Sequence, residues 1–262
     1  MTVEPTLRLP AGYRVLVTAG ASGIGLAITL ALLKAGARVH VCDVDEAALS
    51  ALADEHLNAS VSLCDVAVDE QVEQLFLDVQ AQLGGLDGLV NNAGIAGPTG
   101  AIETIEPAEW RRCLDVDITA MFLVTRKAVP LLKRNLDGCI VNMSSAAGRF
   151  GYAYRTPYAA AKWGVIGFTQ SLAKELGPAG IRVNAILPGI VEGPRMEGVI
   201  RARAEETGVS FTEMERQYLE RTSLRRMVSG DDVAGMVLFL CSSLGRNVSG
   251  QSLGVCANVE SL

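Results

Sequence analysis

Histidine is almost missing from this chain: only His40 and His56 occur in 262 residues, with no HxxxH spacing. A metal site therefore has little to draw on. The six cysteines (Cys42, Cys64, Cys113, Cys139, Cys241 and Cys256) form no CxxC and no tight cluster, so they read as buried free thiols in a reducing compartment. Basic blocks are lacking beyond pairs such as Arg225-Arg226, and the formal net charge is −6. That balance argues against nucleic acid or an anionic membrane as the main partner. No apolar run approaches the ~20 residues of a membrane span. The opening "MTVEPTLRLPAGYRVLVTAG" has no basic stretch followed by an apolar one, so a cytoplasmic protein is expected.

What the chain does have is 49% hydrophobic residues, 20% charged residues and 27 glycines, the profile of a compact α/β protein. Its length fits a single core, and no repeat, low-complexity tract or linker divides it, so residues 1–262 are expected to form one domain. Short apolar runs alternate with helical periodicity. Strands are expected near 14–20, 37–43, 60–66, 86–94, 138–145 and 181–189, and helices near 23–36, 46–55, 69–84, 107–134 and 156–177. Thr156 should cap the last of these, with Pro157 in its first turn, and "SFTE" (210–213) reads as a capping box. Near-continuous apolar strands between helices imply a doubly wound parallel sheet covered on both faces.

The first strand ends in "TAGASGIG" (18–25). Gly20, Gly23 and Gly25, with Ser22 and Ile24 between them, form a turn that lets backbone N–H groups approach a pyrophosphate at a helix N-terminus. Asp43 closes the second strand, eighteen residues after Gly25. A carboxylate there can accept from ribose hydroxyls and repels a 2′-phosphate. No Lys or Arg in the turn offsets it, so NAD is expected and NADP disfavoured.

In "YAYRTPYAAAKWG" (152–164), Tyr158 and Lys162 lie four apart and share a helix face. A free tyrosine titrates near 10, so its phenolate costs about 4 kcal/mol at neutral pH. An ammonium ~4 Å away at an effective dielectric of ~20 supplies roughly that much. The bland alternative is a solvated i,i+4 pair.

The ordered set "TAGASGIG", "DV" (65–66), "NNAG" (91–94), "IVNMSS" (140–145), "YAAAK" (158–162) and "PG" (188–189) resembles the short-chain dehydrogenase/reductase family from about Gly12 to Val255. The resemblance implies a seven-stranded Rossmann sheet of order 3-2-1-4-5-6-7, a nicotinamide cofactor and hydride transfer between that cofactor and a secondary alcohol or ketone. It implies Tyr158 as general acid/base and Lys162 as its partner and ribose ligand. Ser145, thirteen residues before Tyr158, would bond the substrate oxygen, in preference to Ser144. Asp65 and Val66 would flank the adenine. Asn91, Ala93 and Gly94 would line the cofactor cleft, and Pro188, Gly189 and Val191 would support the carboxamide. A homo-oligomer, commonly a tetramer on the fourth and fifth helices, is also implied.

The chain departs from the family at "DVDITAMF" (115–122), where Asp117 takes the place of an asparagine that bends its helix and completes a proton relay. Asp117 is expected to keep the structural role, although an ionised carboxylate would pull on Lys162. "PGIVEGPRM" lacks the usual threonine near the carboxamide, and "VCANVESL" replaces the usual C-terminal "DGG". The charged segment 193–227 reads as a helical substrate lid. Arg149, Arg155 and Arg195 map near the mouth of the site and suit a small substrate with an anionic group, such as a sugar acid or hydroxy acid; the plain alternative leaves them solvated or paired with Glu192 and Glu197. Two other functions stay open: an NAD-binding regulatory or structural protein, and a 3-ketoacyl-thioester reductase.

Overall fold

In the computed structural model, residues 7–135 and 137–259 are described; the extreme N-terminus and the last residues of "VCANVESL" lie outside them. The sheet has seven strands: β1 (Arg14–Thr18), β2 (Arg38–Asp43), β3 (Ala59–Leu63), β4 (Gly88–Asn91), β5 (Gly138–Met143), β6 (Ile181–Pro188) and β7 (Ser252–Val255). Every pairing is parallel and the order is β3-β2-β1-β4-β5-β6-β7. The order reverses between β1 and β4. Loops at the strand carboxyl ends diverge at that point and leave a crevice.

Period-two alternation sends side chains of one strand into two separate cores. From β1, Val15 and Val17 pack with Val39, Val41 and Val141 under α1 (Gly23–Lys34) and α9 (Gly230–Cys241). Leu16 faces the other way with Leu89, Ile140 and Val183, beneath α3 (Asp69–Leu83) and α5 (Ala120–Leu132). Each such side chain contributes about 1.5–3 kcal/mol through burial. Helix α2 (Glu46–Glu55) begins where the sequence indicates, because the Asp45 carboxylate accepts from Ala48 N at 3.0 Å.

The expected helix over 107–134 is interrupted. α4 (Pro107–Leu114) and α5 are joined by a π turn, Asp115–Thr119, closed by Ala120 N donating to Asp115 O. The wider turn carries Asp117 inward, where it is fully buried. Helix α6 (Thr156–Leu176) starts one residue earlier than expected: Arg155 occupies the cap position and Pro157 sits in the first turn. Segment 193–227 forms α7 (Pro194–Thr207) and α8 (Phe211–Glu220). Ser210 caps α8 through Glu213 N at 3.2 Å, but Glu213 turns to Arg216 instead of closing the box. A complete capping box opens α9, between Ser229 and Asp232.

All six cysteines are free and five are buried. His40 lies between Ser60 Oγ at 2.8 Å and Ser62 Oγ at 3.0 Å, and burial lowers its pKa to about 4. It ties β2 to β3 as a neutral ring. Among the described residues no cluster of potential metal ligands occurs, and no helix is long and apolar enough to cross a membrane.

Candidate active site

The glycine turn is held by side chains that sequence reasoning did not single out. Thr18 Oγ1 accepts from Asn92 N at 2.9 Å and Ala93 N at 3.0 Å. Asn92 Nδ2 donates to Thr18 O and Ala19 O. Thr18 ends an otherwise apolar strand and Asn92 directly follows one, which is the signal that marks them. Gly20 is packed so tightly that a β-carbon would meet Thr29 Oγ1 and Val41 at 2.9 Å, and one on Gly25 would meet Ala19 O at 1.9 Å. Ser22 stands at the start of α1 without a side-chain cap bond. Gly23 and Ile24 line a cleft of roughly 280 Å³ whose far wall is Val191, Glu192 and Gly230.

Asp43 ends β2 with its carboxylate facing this turn. Oδ2 accepts from Ala21 N at 3.1 Å, and Oδ1 accepts from Val44 N at 2.8 Å. Asp65 is engaged by Arg112 Nη2 at 3.0 Å and Ala67 N at 2.9 Å, while Val66 is buried. Asn91 is a buried structural cross-link: its Nδ2 donates to Thr125 Oγ1 and Asn142 Oδ1, while its Oδ1 has no partner among the described residues. Pro188 ends β6, and Gly189 passes so close to the C-terminal segment that a β-carbon would lie 2.7 Å from Cys256 Cα. Val191 is fixed by a bridge to Val228.

The turn after β5 distinguishes the two serines. Ser144 Oγ is buried and donates to Lys162 O at 2.8 Å, which ties β5 to α6. Ser145 is partly exposed, and its Oγ accepts from Ala147 N at 3.1 Å. Accepting that bond leaves the Ser145 hydroxyl hydrogen available to an incoming oxygen. Lys162 is 3% exposed. Its Nζ donates to Met143 O at 3.2 Å, stands 3.8 Å from Asp117 Oδ1 and lies 5.5 Å from the Tyr158 ring centroid. Asp117 Oδ1 also accepts from Ile95 N at 2.7 Å, and Oδ2 accepts from Cys113 Sγ at 3.7 Å. Burial, reinforced by Asp117, pushes the Cys113 thiol up to about 12. Gly94 is wedged against the pair: a β-carbon there would lie 2.6 Å from Asp117 Oδ1 and 3.2 Å from Lys162 Nζ.

The three arginines separate. Arg195, exposed at the start of α7, donates to Gly94 O at 3.1 Å. Arg149 donates to Ser252 O on the edge strand β7. Arg155 is buried between the rings of Tyr152 and Tyr158 and donates to Ala96 O. Helices α7 and α8 pack on this side through Ile200, Met214 and Tyr218, with Tyr218 and Tyr152 hydroxyls 2.6 Å apart.

A glycine turn at a sheet switch point, an acid ending β2, a partly exposed serine after β5 and a phenol with a lysine 5.5 Å from its ring are an arrangement that can take a dinucleotide and move a proton. Comparison with known proteins gives the same answer. A family model described as enoyl-(acyl carrier protein) reductase matches residues 18–257. The chain belongs to the short-chain dehydrogenase/reductase family. It is 35% identical over 244 residues to a D-beta-hydroxybutyrate dehydrogenase of Cupriavidus necator, covering 91% of this chain and 94% of that one. A 3-oxoacyl-(acyl-carrier-protein) reductase of Thermotoga maritima is 36% identical over 244 residues, covering 92% and 94%. Among solved structures, an NAD+-bound xylitol dehydrogenase superposes with a TM-score of 0.90 at 27% identity, covering 95% and 99%. An actinorhodin polyketide ketoreductase with NADPH gives 0.89 at 36% identity, covering 94% and 96%.

This short-chain dehydrogenase/reductase is thus an oxidoreductase of alcohols or ketones that works with a nicotinamide cofactor. The residues present fit such a group, because Gly25 and Gly94 leave backbone bare where any side chain would collide with the turn or with the Asp117–Lys162 pair. The turn 20–25 would hold the phosphates, Asp43 the adenosine ribose and Lys162 the nicotinamide ribose.

Proposed function

We propose that the protein is an NAD-dependent dehydrogenase of a small secondary alcohol, with Tyr158 as acid/base. The observation that carries this reading is the buried ammonium of Lys162 5.5 Å from the Tyr158 ring. Bound nicotinamide supplies the hydride acceptor in oxidation and the donor in reduction. The chain's own residues manage the substrate oxygen. Ser145 donates to it, Tyr158 takes its proton in oxidation and returns it in reduction, and Lys162 favours the phenolate.

Asp43 supports NAD over NADP. Its carboxylate faces the turn through Ala21 N, and the next residue, Val44, is exposed and apolar and offers no charge to a 2′-phosphate. Replacing Asp43 with serine is expected to lower kcat/KM for NAD roughly tenfold and to raise that for NADP. Initial rates with each coenzyme check this, and a wild type that prefers NADP contradicts the reading.

Exposed Arg195, tied to Gly94 O beside the Asp117–Lys162 pair, supports a substrate with an anionic group. The likeness to a D-beta-hydroxybutyrate dehydrogenase points the same way. Similarity to ketoacyl reductases favours a second reading, reduction of a 3-ketoacyl thioester. A panel of hydroxy acids, sugars and simple secondary alcohols with NAD, run beside a ketoacyl thioester with each reduced coenzyme, separates the two. Assembly through α5 and α6 is supported by exposed Phe122 and Trp163 on these helices.

A further inference from the structure

The Tyr158 ring has two cations on it. Lys162 Nζ lies 5.5 Å from the ring centroid and Arg155 Cζ lies 5.0 Å from it. Both are withdrawn from solvent, at 3% and 2% exposure. Their surroundings differ in one respect. Lys162 stands 3.8 Å from the buried Asp117 carboxylate. Arg155 has no ion pair among the described residues: its guanidinium donates to Ala96 O, and its Nε has no partner. A buried charge persists at low cost only where an opposite charge or hydrogen bonds compensate it.

Two phenols lie against Arg155. Tyr152 is locked to the Tyr218 hydroxyl at 2.6 Å, and burial raises its pKa well above the ordinary value. Tyr158 has no such lock. A charge count around it is decisive. Asp117 and Lys162 form a neutral pair, so a phenol beside that pair alone meets little net field. Cys113, from α4, adds no charge because its thiol stays protonated on Asp117 Oδ2. From α7, Arg195 is engaged with Gly94 O, and Arg203 lies beyond Tyr152, 5.3 Å from that ring. Arg155 is the cation that makes the immediate surroundings of Tyr158 positive.

We propose that Arg155 is a positioning residue that holds the phenolate form of Tyr158 and restores the positive field that Asp117 removes from Lys162. The proposal rests on the reading of Tyr158 as the acid/base, so its first readout needs no turnover. Tyrosinate formation is followed by ultraviolet absorbance against pH, each protein being compared with its own Tyr158→Phe counterpart. Arg155→Gln is expected to move the Tyr158 step to higher pH by about 1–2 units, and Asp117→Asn to move it lower by about one. The double variant should return to within about half a unit of the wild type. Arg155→Lys, which keeps the charge, should move the step by less than half the shift of Arg155→Gln.

With an alcohol that turns over, Arg155→Gln should lower kcat at neutral pH roughly 10- to 100-fold, and raising the pH should restore it. Its KM for the alcohol should stay within about threefold. A Tyr158 step left in place by Arg155→Gln overturns the proposal. So does a KM that rises while kcat holds, which would make Arg155 an anchor for an anionic substrate. If Arg155→Gln does not fold, Asp117→Asn decides, because an unmoved step in that variant overturns the charge balance. Absence of turnover with every alcohol would count against the proposed activity, while the absorbance titration still tests the role of Arg155.

Discussion

Replacing Lys162 with methionine is expected to cost about 3–5 kcal/mol of folding stability in addition to turnover. Asp117 is completely buried and is held by Ile95 N and Cys113 Sγ, and Lys162 Nζ is its ion-pair partner at 3.8 Å. Methionine fills similar volume but leaves the carboxylate without that charge in a low-dielectric site. Urea unfolding reads the loss. A second substitution distinguishes charge from packing: Asp117→Asn, added to Lys162→Met, removes the orphaned charge and should recover most of the stability. Turnover should not return, because the lysine that would hold the nicotinamide ribose is still missing although Arg155 keeps the surroundings of Tyr158 positive, and kcat is expected to stay at least ~100-fold below wild type. A Lys162→Met protein with wild-type stability would show that the buried pair carries no such weight.

Gly25→Val is expected to abolish coenzyme binding altogether. A β-carbon at Gly25 would stand 1.9 Å from Ala19 O and 2.6 Å from Asn92 Nδ2. Neither atom can yield easily. Ala19 already has a positive φ of 49°, and Asn92 Nδ2 donates to the carbonyls of both Thr18 and Ala19. Moving Ala19 O therefore breaks the clamp that shapes the phosphate turn. Even Gly25→Ala should weaken NADH binding at least ~30-fold, or about 2 kcal/mol. Gly167→Ala is the contrasting case. That glycine lies on α6 with nothing within 4 Å of a β-carbon, so NADH affinity should be unchanged and stability should rise by about 0.5–1 kcal/mol. Fluorescence titration with NADH measures affinity, and circular dichroism checks that the fold is retained.

Much of the scaffold was readable because local signals agreed with one another. Asp45 caps α2 immediately after the acid that ends β2, and Gly84, with φ 72°, stops α3 where the periodic pattern ends. The π turn at Asp117 was hidden because the apolar stripe runs on through Val116 and Ala120, so periodicity alone reads one unbroken helix. Only the charged residue on a buried face hinted at it. Helix α9 and strand β7 were not drawn from the pattern, and family likeness supplied only the seventh strand, through the strand order. "SGDD" at 229–232 was nevertheless a visible start signal, since Ser229 and Asp232 cap each other.

At the site, the Tyr158–Lys162 pair was legible because both members lie on one helix. Arg155 was not. Its burial depends on Tyr152, on Tyr158 and on Ala96, which is 59 residues away in sequence, and no local pattern reports such a contact. The choice of Ser145 over Ser144 gains its physical reason only from the Ser144 bond to Lys162 O, an interaction across 18 residues.

The most direct test of the account is reduction of NAD by a panel of secondary alcohols, followed for the wild type and Tyr158→Phe side by side at saturating coenzyme. The account predicts that at least one alcohol drives NADH formation in the wild type. In Tyr158→Phe the rate should fall by roughly 10²–10⁴-fold, with NADH affinity within about threefold of wild type. A Tyr158→Phe protein that turns over as fast as the wild type, or a wild type that binds NADH yet oxidises none of the alcohols and reduces none of their ketones, would contradict it.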